Sequence, residues 1–428
     1  MQWLYESLFV LGYMAYAPKA FLRKRLPHAG WTMRLGRYPD AVRHRLNGRR
    51  FVWLHAVSVG EIIAARPLIR ALTQAQSDPL VVSSITPGGF ELARKEIGDG
   101  GAAIYWPFDL TGPVKRAFAL AHPKLLVLME SELWPTVIRE AAQRQVPVAI
   151  VNGRISERAF RRYLRIRGAM RRMFAQVSLC LMQSEVDAER VRALGALPER
   201  VQVIGNLKWD ASVGVRPSQA DVTAAARRLE LRSSAPLLVA GSTHRGEETH
   251  LVQSLQALRL KWPALGMIIA PRHVERVGEV EALLSRSGLK AVRWSQAQPG
   301  KTWDVMVVDV FGQLPIAYAL GQVAFIGGSL IAHGGQNPLE AASLGKPTVF
   351  GPFMHNFRDI VDALMRSDAC RQVDDAASLT PALSELLADA LFAQRIGAQA
   401  RALVERSQGA TQRTLQALRS LLPDLKAE

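Results

Sequence analysis

An apolar run, Trp53-Leu-His-Ala-Val, leads into Ser58-Val-Gly-Glu61, so a carboxylate arrives where a buried strand turns into a helix. A carboxylate in that position has two possible roles. It caps the helix that follows, 62–72, because the helix dipole favours negative charge there. Alternatively it faces a ligand, since ligands sit at the carboxyl ends of strands in an open α/β sheet. Gly60 beside it lets the backbone bend or approach a ligand closely. Local sequence leaves both roles of Glu61 open.

Other strand-like runs end in polar loops of the same kind. In the first half these are Ser83-Ser-Ile-Thr-Pro-Gly88, Glu130-Ser-Glu-Leu-Trp-Pro135 and Asn152-Gly-Arg-Ile-Ser-Glu-Arg158. Glu130 and Glu132 would share a face if their strand continued, and such a like-charge pair is costly unless it meets water or a cation. Lys208, in Gly205-Asn-Leu-Lys-Trp-Asp210, is either an ordinary surface lysine or a cation that neutralises charge on a leaving phosphate. In the second half, Gly241-Ser-Thr-His244 offers backbone amides and two hydroxyls to an anion. Arg272, in Ala270-Pro-Arg-His273, offers a planar fork for phosphate or carboxylate. Gly327-Gly-Ser329 leads to Gly334-Gly-Gln-Asn-Pro-Leu-Glu340, where Pro338 suits a first helical turn. There Glu340 either caps the helix or receives ribose hydroxyls. Three such loops at strand ends point to nucleotide phosphate, and no G-x-x-x-x-G-K-[ST] sequence marks a P-loop.

The elements that must position these residues alternate. Strands are expected at 51–56, 80–85, 102–105, 125–129, 147–152, 179–183 and 201–204, separated by amphipathic stretches such as 62–72, 88–96 and 185–194. That alternation predicts a parallel α/β sheet. It breaks over 205–219, which reads as an interdomain linker. A second series follows, with strands at 236–241, 266–270, 289–293, 304–308, 322–326 and 347–350, and helices including 246–260, 273–286, 338–344 and 380–405. Two α/β domains with a cleft between them are expected. The Arg-rich tract 158–173 reads as one basic amphipathic helix, either a solvated face or a landing surface for phosphates or lipid headgroups.

Composition bounds the function. A chain of 428 residues favours two domains, and 49% hydrophobic with 21% charged residues is a globular balance. Residues 1–210 hold 31 Lys and Arg against 17 Asp and Glu, or +14, while 211–428 hold 23 against 20, or +3. A basic half beside a near-neutral half suggests two different ligands, the basic one facing nucleic acid, an anionic membrane or a phosphorylated substrate. Cys180 and Cys370 lie far apart and read as core hydrophobes in a reducing compartment. The nine histidines lack metal-type spacing, which predicts no metal site. Residues 7–18 are apolar and precede Lys19, Arg23, Lys24 and Arg25. They fall short of the ~20 residues of a comfortable span. They read as a membrane anchor with a cytoplasmic basic flank, spanning or merely inserted, in preference to a buried helix.

Taken in order, His55-Ala-Val-Ser-Val-Gly-Glu61, Glu130-Ser-Glu-Leu-Trp-Pro135, Gly205-Asn-Leu-Lys-Trp-Asp210, Ala270-Pro-Arg-His273, Phe311-Gly-Gln-Leu314 and Gly334-Gly-Gln-Asn-Pro-Leu-Glu340 resemble the 3-deoxy-D-manno-octulosonic acid (Kdo) transferases of lipopolysaccharide synthesis. The resemblance implies an α/β, GT-B glycosyltransferase with two Rossmann-like domains facing across a cleft. It divides the chain into an anchor, 1–22, an acceptor domain, 23–208, and a donor domain with C-terminal helices, 209–428. It implies inverting transfer of Kdo from CMP-Kdo to a lipid A precursor, lipid IVA, at the cytoplasmic face of the inner membrane. Its partners would be CMP-Kdo, the phosphorylated lipid and the membrane surface, with no nucleic acid, no metal and no cofactor beyond the donor.

By resemblance, Glu61 would be the general base, and Glu130 and Lys208 would stabilise the transition state. Pro271, Arg272, Gly312, Gln313, Leu314, Asn337, Pro338, Leu339 and Glu340 would hold CMP. The chain departs from the family where Gln313 replaces a usual Glu, Gln336 a usual His, Gly88 a usual Thr and Trp209 a usual Phe. Two other readings are weighed beside this one: a GT-B enzyme using a UDP-sugar, and a basic, membrane-tethered polyanion-binding protein without turnover.

Overall fold

The computed structural model describes residues 2–22, 29–46, 48–75, 79–99, 101–213, 216–231 and 235–422. The basic flank Arg23, Lys24 and Arg25 lies outside the described residues. The chain forms two units, one from the segment up to Ala211 together with the segment from Gln408, the other from Ser212–Ser407.

In the first unit, seven short apolar runs become parallel strands: β1 (Phe51–His55), β2 (Leu80–Ser84), β3 (Gly101–Tyr105), β4 (Pro123–Met129), β5 (Val148–Gly153), β6 (Leu179–Met182) and β7 (Val201–Val203). Along β1 alternate side chains enter opposite core layers, Phe51 and Trp53 on one face, Val52 and Leu54 on the other. Helices therefore cover both faces, which is why the strands read as continuous apolar runs rather than alternating ones. Burying each such side chain stabilises the fold by ~1.5–3 kcal/mol. The order is β3-β2-β1-β4-β5-β6-β7, so the strand sequence reverses between β1 and β4. The carboxyl ends on either side of such a reversal bound the crevice of a Rossmann-like fold.

The second unit repeats the plan with β8 (Leu237–Thr243), β9 (Gly266–Pro271), β10 (Ala291–Arg293), β11 (Val305–Val307), β12 (Val323–Ile326), β13 (Thr348–Phe350) and β14 (Arg371–Gln372), ordered β10-β11-β9-β8-β12-β13-β14. Its reversal lies between β8 and β12. The two-residue edge strand β14 carries no apolar run and was not expected from sequence.

Four expectations are corrected. The linker region is not irregular throughout, because Leu207–Val213 is a helix whose Leu207 is fully buried. The boundary between units falls after Ala211 rather than 208, and the chain returns to the first unit at Gln408 rather than ending in the second. Ala410, Leu415, Leu418 and Leu422 join the first unit's core, and the Asp210 carboxylate accepts the N–H groups of Gly409 (2.8 Å) and Thr411 (2.6 Å). The Arg-rich tract forms two helices, Glu157–Leu164 and Arg167–Phe174, because Ile166 leaves helical geometry between them. The 380–405 helix is likewise split into Leu379–Ala388 and Ala390–Arg406, with Asp389 capping the second through Phe392 N–H.

The N-terminal helix, Gln2–Leu22, packs one face on the first unit. Tyr5 donates to Asp109 at 2.7 Å, Glu6 accepts from Thr111, and Tyr13 meets the rings of Trp31 and Phe108. Leu8, Val10, Leu11 and Met14 are exposed. Among the described residues no helix is long and apolar enough to cross a membrane.

Candidate active site

Glu61 follows β1 and Glu130 follows β4, so two carboxylates come from the strands that flank the reversal of the first sheet. Glu61 lies in the first turn of the helix Val59–Ala75. Its Oε2 accepts the Val57 N–H at 2.8 Å and its Oε1 accepts the Ser58 hydroxyl at 3.3 Å. The capping role is therefore real. Gly60 takes ordinary helical geometry within this turn, so the bend expected of it is not what the structure uses it for.

Capping does not exhaust Glu61. Burial, then the charges of Glu130 and Glu132, push its carboxyl up to about 8, against the two bonds that favour the ionised form. Burial and Glu130 also push Glu132 up to about 7. A carboxyl held only to cap a helix gains from staying ionised. Here the surroundings disfavour that state and bring the proton affinity near neutral pH, which suits proton transfer.

The Glu130–Glu132 pair does not lie on a continued strand. β4 ends at Met129, and Glu130 adopts a left-handed φ of 54° while its N–H is held by Val151 O at 2.8 Å. The cation such a pair needs is Lys208, whose Nζ lies 3.5 Å from Glu130 Oε1. A run of amides delivers it. Asn152, fully buried at the end of β5, accepts the Leu207 N–H through Oδ1 at 2.9 Å. Asn206 accepts the Lys208 N–H at 2.9 Å and donates to Gln183 Oε1 at 2.9 Å. Sequence reading did not assign roles to Asn152, Gln183 and Asn206, since their pairing spans separate strand ends. His55 is fully buried, stacked on Trp106 at 3.7 Å, and burial lowers its pKa to about 3, so it serves as a neutral part of the site floor.

In the second unit the residues expected to hold the nucleotide end or follow β9, β11 and β12. Pro271 ends β9, and Arg272 N–H bonds Thr243 O at the end of β8, 2.9 Å away. Gly312 has a left-handed φ of 83° and opens the turn into the helix Leu314–Leu320, with Gln313 at its N-cap. A Cβ on Gly241 would lie 1.9 Å from Tyr318 Oη and 2.9 Å from Leu314, so this close packing requires glycine. Asn337 accepts the Leu339 N–H at 3.1 Å, and Pro338 caps the helix Leu339–Ser343, whose first turn holds Glu340. Pro338 thus precedes the helix rather than lying in its first turn.

One expectation fails in part. At the end of β8 the His244 amide is not free for an anion, because Glu247 takes it together with three amides that follow β12. Its carboxylate accepts the N–H groups of His244 (2.9 Å), Gly328 (2.7 Å), Ser329 (2.9 Å) and Leu330 (3.0 Å). The Thr243 hydroxyl is spent on Glu248. Glu247 lay unnoticed in sequence because its partners come from another strand end. Among the described residues no group of three or more His, Cys, Asp or Glu is arranged to hold a metal ion.

Residues 29–211 match the family described as 3-Deoxy-D-manno-octulosonic-acid transferase (kdotransferase). The 3-deoxy-D-manno-octulosonic acid transferase of Haemophilus influenzae is 33% identical over 374 residues, covering 87% of each chain. That of Bordetella pertussis is 34% identical over 384 residues, again 87% of each. The crystal structure of UDP-GlcNAc 2-epimerase from Neisseria meningitidis bound to UDP-GlcNAc superposes with a TM-score of 0.59 at 12% identity, covering 86% of this chain and 100% of that one. That likeness concerns the fold alone, the two Rossmann-like units of the GT-B class.

Proposed function

This chain belongs to the 3-deoxy-D-manno-octulosonic acid transferase family and is a glycosyltransferase, and we propose that it moves Kdo from CMP-Kdo to a phosphorylated lipid A precursor, lipid IVA. The observation that carries the reading is the placing of Glu61 and Glu130 on either side of the first sheet's reversal, with Lys208 against Glu130. Family membership sets aside the UDP-sugar and non-enzymatic readings.

In the reaction, Glu61 takes the proton of the acceptor hydroxyl as its oxygen forms a bond to the anomeric carbon of Kdo. The bond from that carbon to the CMP phosphate oxygen breaks, and CMP leaves with the electron pair. A single displacement of this kind inverts the anomeric centre. The ion pair of Lys208 and Glu130 offsets charge near the reacting atoms. Pro271, Arg272, Gly312, Gln313, Leu314 and Asn337 to Glu340 hold CMP, Arg272 giving a fork to phosphate and Glu340 an acceptor to ribose.

The lipid is taken by the first unit at the cytoplasmic face of the inner membrane. Support comes from the exposed Leu8, Val10, Leu11 and Met14 on a helix whose other face is docked through Tyr5, Glu6 and Tyr13. Such a helix lies in the membrane surface. The first Arg-rich helix and its C-cap add exposed Arg161, Arg162 and Arg165 for lipid phosphates, flanked by exposed Leu164 and Ile166. Mass spectrometry of the product made from CMP-Kdo and lipid IVA tests the reading. Addition of Kdo supports it, while an unchanged lipid with intact enzyme overturns it.

A further inference from the structure

Where the phosphate of the donor goes is constrained by Glu247. The glycine loop after β12 presents the N–H groups of Gly328, Ser329 and Leu330, an arrangement that elsewhere cradles phosphate. Here those groups close on the fully buried carboxylate of Glu247. A phosphate brought to the same amides would meet a carboxylate already bonded to all of them. Burial pushes the Glu247 carboxyl up, but four N–H bonds oppose that shift. The chain has filled its own nest, and the phosphate must be held by something else.

Three adjacent strand ends supply it. After β9 come Arg272 and His273, after β8 His244, and after β12 His333. His244 is buried, and the His333 ring lies against it with centroids 3.9 Å apart, while His273 meets it edge-on at 6.0 Å. Burial, with His333, His273, Arg272 and Arg276 close by, drives His244 down to about 4, so it is a neutral seat. The Gln336 amide nitrogen stands 3.1 Å from His244 Nε2. As the amide is placed, its nitrogen can only donate, so Nε2 accepts and the imidazole proton is assigned to Nδ1. Arg272, His273 and His333 are exposed, and among the described residues no carboxylate pairs with Arg272. Two nearby acids are committed, Glu248 to Arg276 at 2.9 Å and Glu279 to Arg245 at 2.6 Å.

We propose that His333, with His273, joins Arg272 in binding the phosphate of the donor nucleotide, seated on His244 at the ends of β9, β8 and β12. The inference rests on the reading of the second unit as the CMP-Kdo site. Two imidazole N–H donors and one guanidinium fork suit a single phosphodiester, which has two free oxygens and one negative charge.

The test compares binding of CMP with binding of cytidine, which lacks the phosphate, by titration calorimetry on the full chain. His333→Gln and His273→Gln are the variants, with thermal unfolding as the folding control, and His333→Gln stands alone if the other fails to fold. Each variant should weaken CMP about tenfold or more. Cytidine affinity should stay at the wild-type value, and KM for CMP-Kdo should rise while kcat holds. Unchanged CMP affinity, or equal loss for CMP and cytidine, overturns the assignment of His333. A wild-type protein that binds no CMP overturns the donor reading itself and takes this inference with it.

Discussion

Lys208 Nζ sits 3.5 Å from Glu130 Oε1, although Glu130 follows the central strand β4 and Lys208 follows the edge strand β7. The pair is partly exposed, so it contributes little to stability. Its value is electrostatic, beside Glu61 and Glu132, where an unbalanced third carboxylate would be costly. Lys208→Gln should therefore lower kcat by ~10²–10³, the usual loss for a preorganised charge-stabilising group. Lys208→Arg, which keeps the charge, should retain more. Steady-state kinetics with thermal unfolding as a control checks this, and a kcat within twofold of wild type would show the pair to be structural only.

Asn152 governs that lysine from a distance. Its left-handed φ of 57° is one that asparagine tolerates, and its side chain takes the Leu207 N–H. Asn152→Gly keeps the backbone freedom but removes the acceptor, leaving a buried N–H unpaired at ~1–3 kcal/mol. The expected outcome is a lower melting temperature and a lower kcat, with CMP affinity unchanged. Loss of CMP binding in this variant would mean the effect is global.

The pH dependence of stability follows from Glu61 and Glu132, both raised above the ordinary carboxylate value of 4.5. The folded protein keeps protons that the unfolded chain releases. Stability from these groups is therefore fully present below about pH 4.5 and is lost as pH rises through about 7 and 8. Wild-type protein should lose melting temperature between pH 5 and pH 8.5 relative to Glu61→Gln, which cannot titrate there. Parallel pH profiles for the two proteins would contradict the buried, proton-holding state of Glu61.

The acceptor side makes a separate prediction. Replacing Arg161, Arg162 and Arg165 with Gln removes exposed charges that salt also screens. KM for the lipid should rise and lose much of its ionic-strength dependence, while KM for CMP-Kdo stays nearly constant. Equal effects on both substrates would place the lipid phosphates elsewhere.

Much of this was legible in sequence. Buried parallel strands announce themselves as apolar runs, so β1, β2, β4, β5 and β9 and the loops after them could be placed, Glu61, Glu130 and Arg272 with them. What escaped depended on contacts between distant segments. Glu247 reads as an ordinary first-turn acid until Gly328, Ser329 and Leu330 close on it. His333 has no local signal, since its ring is placed by His244 across the strand reversal. The return of Gln408 onward to the first unit is set by Asp210 and by Leu415 and Leu418, and no composition shift marks it. Ile166, which divides the Arg-rich tract, is compatible with a continuous helix on propensity alone.

The central claim is that Glu61 removes the proton from the acceptor hydroxyl, and its most direct test is Kdo transfer by Glu61→Gln across pH. The wild-type rate at limiting substrate should rise as Glu61 ionises and level off above about pH 8. Glu61→Gln keeps the shape and can still accept the Val57 N–H, so it should fold and bind CMP normally. It should lose turnover by ~10²–10⁴-fold and lose that ionisation from the pH profile. A Glu61→Gln enzyme with near-wild-type turnover and an unchanged profile would contradict the mechanism and leave Glu61 as a helix cap.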